Sequence, residues 1–309
     1  MADGDYERPD VRARELGRMQ SELRRLADAR NEAKLSALND LYTAYVDTFK
    51  VPSDGPASPL ALPPMMALKL LHTGKVVEAA KAIASGEKFD ARTSLVTEAA
   101  ALLHDTGRYE QLRRWNTFRD SDSVDHAVFS HDIVKERGWL AQCGFSDDDA
   151  EAVLFAVLVH NRRDIPPETD PVRLAAAKAV RDADKLDIFR VLEDQVAKTD
   201  WRSDCKAFWN LPTTNPPNPE VVKAIRERRP VEYQNIASLA DFVLIQVGWM
   251  LCGLEYSTSR RICRARGHLE FRRRFLAELT DDPACGELCD LASAALSFCD
   301  GLGASRLVQ

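Results

Sequence analysis

The stretch DARTSLVTEAAALLHDTGR, residues 90–108, decides how this chain is read. Its apolar run reads as a helix with Gly107 as its stop signal. At the end of that run His104 stands beside Asp105, and Thr-Gly-Arg follows at once. Two consecutive residues of metal-binding type are an odd way to build a helix core. Neighbouring side chains differ by roughly 100° around a helix axis, yet both can reach one ion sitting beside it.

Outward from this stretch the chain reads as helices. Residues 8–50 carry Leu16, Met19, Leu23 and Leu26, then Leu38, Leu41, Tyr45 and Phe49, at spacings of three and four. They make one long helix or two, expected to pack on the chain's own domain. VPSDGPASPLALPP (51–64) is a linker or loop. Further helices follow, ending at Gly86 and Gly138, and one is capped by Ser146 with acidic residues in its first turn. Another spans 170–194. After LPTTNPPNPE, helices run to the end, and ASLADFVLIQVGWMLCGL (237–254) is too apolar for an isolated surface helix. No alternating strand segment and no internal repeat is visible, so the expected class is all-α.

Length and charge set bounds. A chain of 309 residues can bury a large core without disulfides, and a net charge of -6 gives no global pull toward nucleic acid. No apolar run reaches the roughly 18 residues of a membrane helix. The polar N-terminus is no secretory signal. Seven scattered cysteines without a CxxC pair fit reduced thiols, with Cys285 and Cys289 one turn apart on a helix. The expectation is a cytoplasmic protein with no membrane partner.

The histidines concentrate the chemistry. Five of the six lie between residues 72 and 160, in four successive predicted helices: His72, His104, His126 with His131, and His160. Asp182 and Asp184 follow in the fifth. His72 and Asp184 can close a shell around His104 and Asp105 from facing helices, an established way to build a metal site in a bundle. Mixed imidazole and carboxylate ligands suit Fe, Mn, Co or Zn, and exclude a dedicated Ca or Mg cage.

In order, His72, His104-Asp105 and Asp184 resemble the H…HD…D signature of the HD-domain superfamily of metal-dependent phosphohydrolases. LLHTGKVVEAAKAIA, AALLHDTGR and VRDADKLDI are similar to its three ligand-bearing segments, over residues 64–195. The resemblance implies an HD-domain helical bundle, a first metal on His72, His104, Asp105 and Asp184, and a second on His126 and His160. It departs in two places. Ser130 replaces the glycine of the family's H-x-x-x-G setting, and Asn161 replaces the second histidine of a pair, a weak ligand that leaves the second metal less secure. The DGxGYP run of cyclic dinucleotide phosphodiesterases is absent after Asn161, which argues against that role.

The implied activity is hydrolysis of a phosphate ester, expected to be a nucleotide, by a metal-activated water, with one or two divalent transition metals per chain. Asp105 would ligate and orient the water. Arg108, one turn beyond His104 if the helix continues, would grip the phosphate with its planar fork. Arg162, Arg163 and Lys185 are further phosphate candidates. Tyr109, Trp115, Phe118 and Phe129 could stack on a base, though core is the commoner fate. His131 is expected at the surface or behind the ligands, and Asp182 paired with an arginine. Asp187, Arg181 and Lys185 have bland readings as well, the last two as solvated cations. QLRRWNTFRDSDSVDH (111–126) is expected to loop over the site mouth, and the seven arginines of 257–274 to form a solvated helix face. The expected organisation is an N-terminal helical extension and linker (1–58), an HD core (59–200) and a C-terminal helical region packed on it (201–309). Two other readings stand beside the enzyme: a ligand-binding sensor or scaffold with the N-terminal helix as its interaction element, and a single-strand nuclease; the N-terminal helix is also where a homo-oligomer could form. Nucleic acid is not the favoured partner.

Overall fold

A computed structural model describes residues 9–53, 58–203, 208 and 211–304. It is all-α apart from a two-residue antiparallel ladder, β1 (Val51–Pro52) with β2 (Leu60–Ala61), inside the expected linker. Four helices form the bundle that matters for the site: α2 (Pro64–Gly86), α3 (Ala91–Leu103), α7 (Asp147–Val159) and α8 (Pro171–Lys198). All four pack on one another in a ring of neighbours. Their contacts are rich in buried alanine, among them Ala80, Ala99, Ala100, Ala156 and Ala176. Small side chains let helix axes approach closely, which brings ligands on separate helices within reach of one centre.

Local chemistry sets the helix ends. Asp90 accepts the Thr93 N–H at the start of α3, Ser146 that of Asp149 at α7, and Asp170 those of Val172 and Arg173 at α8, where Pro171 occupies the first turn. Each satisfies backbone donors that a helix leaves unpaired. The expected stop at Gly107 is not where the helix ends. α3 stops at Leu103, residues 104–106 form a tightened turn, and Gly107 is the first residue of α4 (Gly107–Trp115). Gly107 is glycine for another reason. A Cβ there would lie 2.8 Å from the backbone nitrogen of Ser130 on α5 (His126–Arg137), and the Gly107 N–H donates to Ser130 Oγ at 2.8 Å.

One continuous helix, α1 (Pro9–Asp47), leads the chain. Its second half packs on α3 through Leu38, Tyr42 and Tyr45, with Phe49 just beyond. In its first half Met19 and Leu26 are exposed, while the side chains of Leu16 and Leu23 lie outside the described residues. The short α6 (Trp139–Gln142) follows α5.

The C-terminal helices lean on the bundle. α10 (Leu239–Gly248) is buried along nearly its whole length and runs into a π-turn, Trp249–Gly253. α9 (Pro219–Arg226), α12 (His268–Leu279) and α13 (Pro283–Ala304) surround it, and α11 (Ser257–Ala265) touches α2 and α8. Two expectations are corrected here. Asp182 does not pair with an arginine; it is buried and accepts the backbone N–H groups of Glu255 and Tyr256 at 3.0 Å. The arginines of 257–274 are not one solvated face. They divide between α11 and α12, and Arg272 is fully buried, bonded to Glu193, Gln246 and the carbonyls of Phe189 and His268. Cys285 and Cys289 lie one turn apart on α13, both free thiols. No helix among the described residues is long and apolar enough to cross a membrane.

Candidate metal centre

His72 comes from the middle of α2, His104 and Asp105 from the turn closing α3, and Asp184 from α8. Their donor atoms converge. His72 Nε2 lies 3.3 Å from His104 Nε2, 3.1 Å from Asp184 Oδ1 and 3.6 Å from Asp105 Oδ2. His104 Nε2 lies 3.5 Å from Asp105 Oδ2 and 3.9 Å from Asp184 Oδ1. Ligands about 2.0–2.1 Å from an ion sit about 3.0–3.4 Å apart around it, close to most of these spacings.

The opposite ring nitrogens explain the convergence. His104 Nδ1 donates to the Ala101 carbonyl at 2.8 Å, which places the proton there and leaves Nε2 as a lone pair. Burial lowers the pKa of His104, so the ring is held neutral. His72 Nδ1 meets Asp187 Oδ2 at 2.7 Å, and Arg190 grips both oxygens of that carboxylate. Burial and Lys69 push the His72 pKa down, but Asp184 and Asp187 outweigh them and raise it. Burial pushes Asp184 and Asp105 up, yet His72 for the first, and Lys69 and His104 for the second, hold both carboxylates well below their usual range. Four electron-rich atoms are thus aimed at one point, and the donor set fits a divalent transition metal.

A second group faces the other oxygen of Asp105. His126 opens α5 and His160 closes α7, and their Nε2 atoms are 3.0 Å apart. Asp105 Oδ1 lies 3.6 Å from the first and 3.8 Å from the second. Again the Nδ1 atoms are committed, His126 to Asp120 Oδ2 at 2.6 Å and His160 to the Val157 carbonyl at 2.7 Å. Burial first, then His126 and His104, lower the His160 pKa to about 3. Asn161 sits beside this pair. Its amide N–H donates to Asp125, while its Oδ1 is buried without a hydrogen-bond partner.

The groups open into one cleft of about 720 Å³ that Arg108, Arg162, Arg163 and Lys185 also line. They differ in commitment. Arg108 Nη1 bonds Gln111, the Phe118 carbonyl and Asp120, while its buried Nε, 3.4 Å from Asp105 Oδ1, makes no hydrogen bond. Arg162 pairs with Asp125, and Arg163 with Asp164 and Glu232. Lys185 donates to the Arg181 carbonyl, and burial lowers its pKa. Arg181 is not a solvated cation: it binds the carbonyls of Val159, Arg162 and Arg163 and so ties down the turn after His160.

Of the candidate stacking residues, Tyr109 is core, and neither Trp115, Phe118 nor Phe129 lines the cleft. His131 pairs with Asp132 away from it. Lys69 and Asp120 escaped the sequence reading, and Asp187, read there as bland, holds the His72 ring. Lys69, 2.7 Å from Asp105 Oδ2, and Asp187 each stand three residues from a ligand, so the i,i+3 spacing was a usable signal. Asp120 lies in the irregular stretch before α5 and offered none.

Comparison with known families matches residues 70–188 to the HD domain. Searches of curated proteins and of solved structures find no match. All four signature residues lie within the matched span. Residues 70–188 are an HD domain.

Proposed function

We propose that the chain is a metal-dependent phosphohydrolase acting on a nucleotide or related phosphate ester, and that His72, His104, Asp105 and Asp184 would hold one divalent ion and His126 and His160, with Asp105, a second. The observation that carries this reading is the split of one buried carboxylate, Oδ2 toward His72 and His104, Oδ1 toward His126 and His160. Divalent ions held there supply Lewis acidity at a phosphoryl oxygen and a nucleophilic water at neutral pH. The chain's part is placement. Asp187 and Asp120 fix the His72 and His126 rings so that Nε2 faces the centre. Asp105, with one oxygen toward each histidine pair, would help to hold the ions and to orient a water between them. Arg108 lines the cleft beside Asp105 and its guanidinium would meet a phosphate oxygen there, with Lys185 and Arg162 further along.

The nuclease reading loses ground, because Arg272 is internal and Arg273 pairs with Asp290, so residues 257–274 form no continuous basic channel. The test is hydrolysis by metal-loaded protein across nucleotides, cyclic nucleotides and single-stranded DNA. Turnover of a small nucleotide supports the proposal. Turnover of the DNA alone favours the nuclease, and binding without turnover favours a sensor.

A further inference from the structure

The far wall of the cleft is built outside the HD match, by the connection from α9 to α10 and the π-turn after α10. Two residues of that wall have no structural task. Tyr233, in the short 3-10 turn Tyr233–Asn235, is 70% exposed, the most exposed large apolar-bodied side chain among those described. It nevertheless lines the same cleft as Asp105, His126, His160 and Asp184. An aromatic face left open above a metal group is a stacking surface without an occupant.

Arg228 is the second. The other arginines of the cleft are engaged, Arg162, Arg163 and Arg229 by carboxylates and Arg181 by carbonyls. The Arg228 side chain makes no hydrogen bond or ion pair among the described residues. It also ends α9 with φ +55, where its N–H bonds the Ile225 carbonyl and the next N–H bonds that of Ala224. This closing turn favours glycine, so an arginine is there against local preference. A left-handed lysine, Lys88, ends α2 in the same manner, so the turn alone assigns nothing. The free guanidinium in the cleft does.

We propose that Tyr233 and Arg228 select the substrate, Tyr233 by stacking on a nucleotide base and Arg228 by pairing with a second phosphate that the metal ions do not hold. The substrate class is then a nucleotide with at least two phosphate groups. A cleft of about 720 Å³ has room for such a molecule. The inference rests on the phosphohydrolase reading only for where the scissile phosphate lies.

Binding separates the two claims. Full-length metal-loaded protein is titrated in a calorimeter with three probes: the α,β-methylene analogue of adenosine diphosphate, adenosine monophosphate and glycerol phosphate. Stacking tolerates any base, so adenosine serves as the probe. Tyr233→Ala is expected to weaken both adenosine ligands about 5- to 100-fold and leave glycerol phosphate unchanged, and Tyr233→Phe to retain the affinity. Arg228→Gly is expected to weaken the diphosphate analogue about tenfold or more while sparing the monophosphate. Its melting temperature should not fall, since glycine is at ease at that φ, so lost affinity cannot be put down to unfolding. Unchanged affinities in both variants, equal losses for glycerol phosphate, or no binding of either adenosine ligand by the wild type would overturn the proposal. If these binding differences hold but no nucleotide is hydrolysed, the phosphohydrolase reading fails and the recognition wall stands.

Discussion

His126 Nε2 lies 3.0 Å from His160 Nε2, and the Nδ1 of each ring is already engaged, one by the Asp120 carboxylate and one by the Val157 carbonyl. With both Nδ1 atoms committed, the two Nε2 atoms face one another at a spacing that a shared metal ion would fit. His126→Ala and His160→Ala should therefore each lose one of two bound ions and keep the one on His72, His104 and Asp184. Elemental analysis of the purified variants checks this. Unchanged metal content in both would remove the second centre.

Asp187 acts through His72. Asp187→Ala should weaken metal at the first centre about 10- to 100-fold, because the ring loses the acceptor that orients it. Asp187→Asn keeps an acceptor and should recover part of the loss. Competition with a coloured chelator reads both. An affinity for metal equal to wild type in Asp187→Ala would mean that burial alone holds the ring.

Arg108 tests phosphate recognition apart from metal. Arg108→Ala should lose about ten- to a hundred-fold in kcat/KM, the worth of a charged hydrogen bond. Arg108→Lys keeps charge without the fork and should recover only part. Metal at the first centre should be unchanged in both, since a guanidinium does not ligate a cation. Wild-type kinetics in Arg108→Ala would leave it a brace for the Phe118 carbonyl and Asp120, with phosphate recognition passing to Arg162 or Lys185.

The pair of half-buried Glu193 with fully buried Arg272 should make the joint between the HD domain and the C-terminal helices acid-sensitive. Burial pulls the Glu193 pKa up, but His268 and Arg272 more than offset it and lower the value. A depressed folded pKa gives stability that is complete above the unfolded value of 4.5 and lost as pH falls through the folded one. Arg272→Ala should cost about 3–5 kcal/mol at neutral pH, because it leaves Glu193 to His268 alone and strips buried Gln246 and the Phe189 carbonyl of a donor. It should also flatten the acid limb below about pH 4.5. Urea unfolding across pH measures both, and an acid limb as steep as wild type would exclude this pair as its source.

The sequence brought His72, His104, Asp105 and Asp184 together as a group because their signal is local, and the fold places them side by side. His104 and Asp105 are adjacent, and His72 and Asp184 sit in helices whose apolar periodicity is plain. The α-helical class followed from that periodicity. Gly107 misled, since glycine serves as a helix stop and also where two backbones meet, and only the approach of Ser130 decides between them. Arg272 misled in the opposite sense: a cation among six other arginines reads as solvated until Glu193, 79 residues away, is found beside it. Asp120, Arg228 and Tyr233 lie in irregular segments, where no period links residue to partner and only the fold brings them to the cleft.

The central claim is that Asp105 joins two metal ions, and metal content per chain tests it most directly. Wild type should carry about two transition-metal ions. His72→Ala should keep the ion on His126 and His160. Asp105→Ala, which removes the shared carboxylate, should deplete both, and a His104→Ala, Asp105→Ala double variant should carry none. Full occupancy in that double variant, measured by elemental analysis on protein shown to be folded by circular dichroism, would contradict the account.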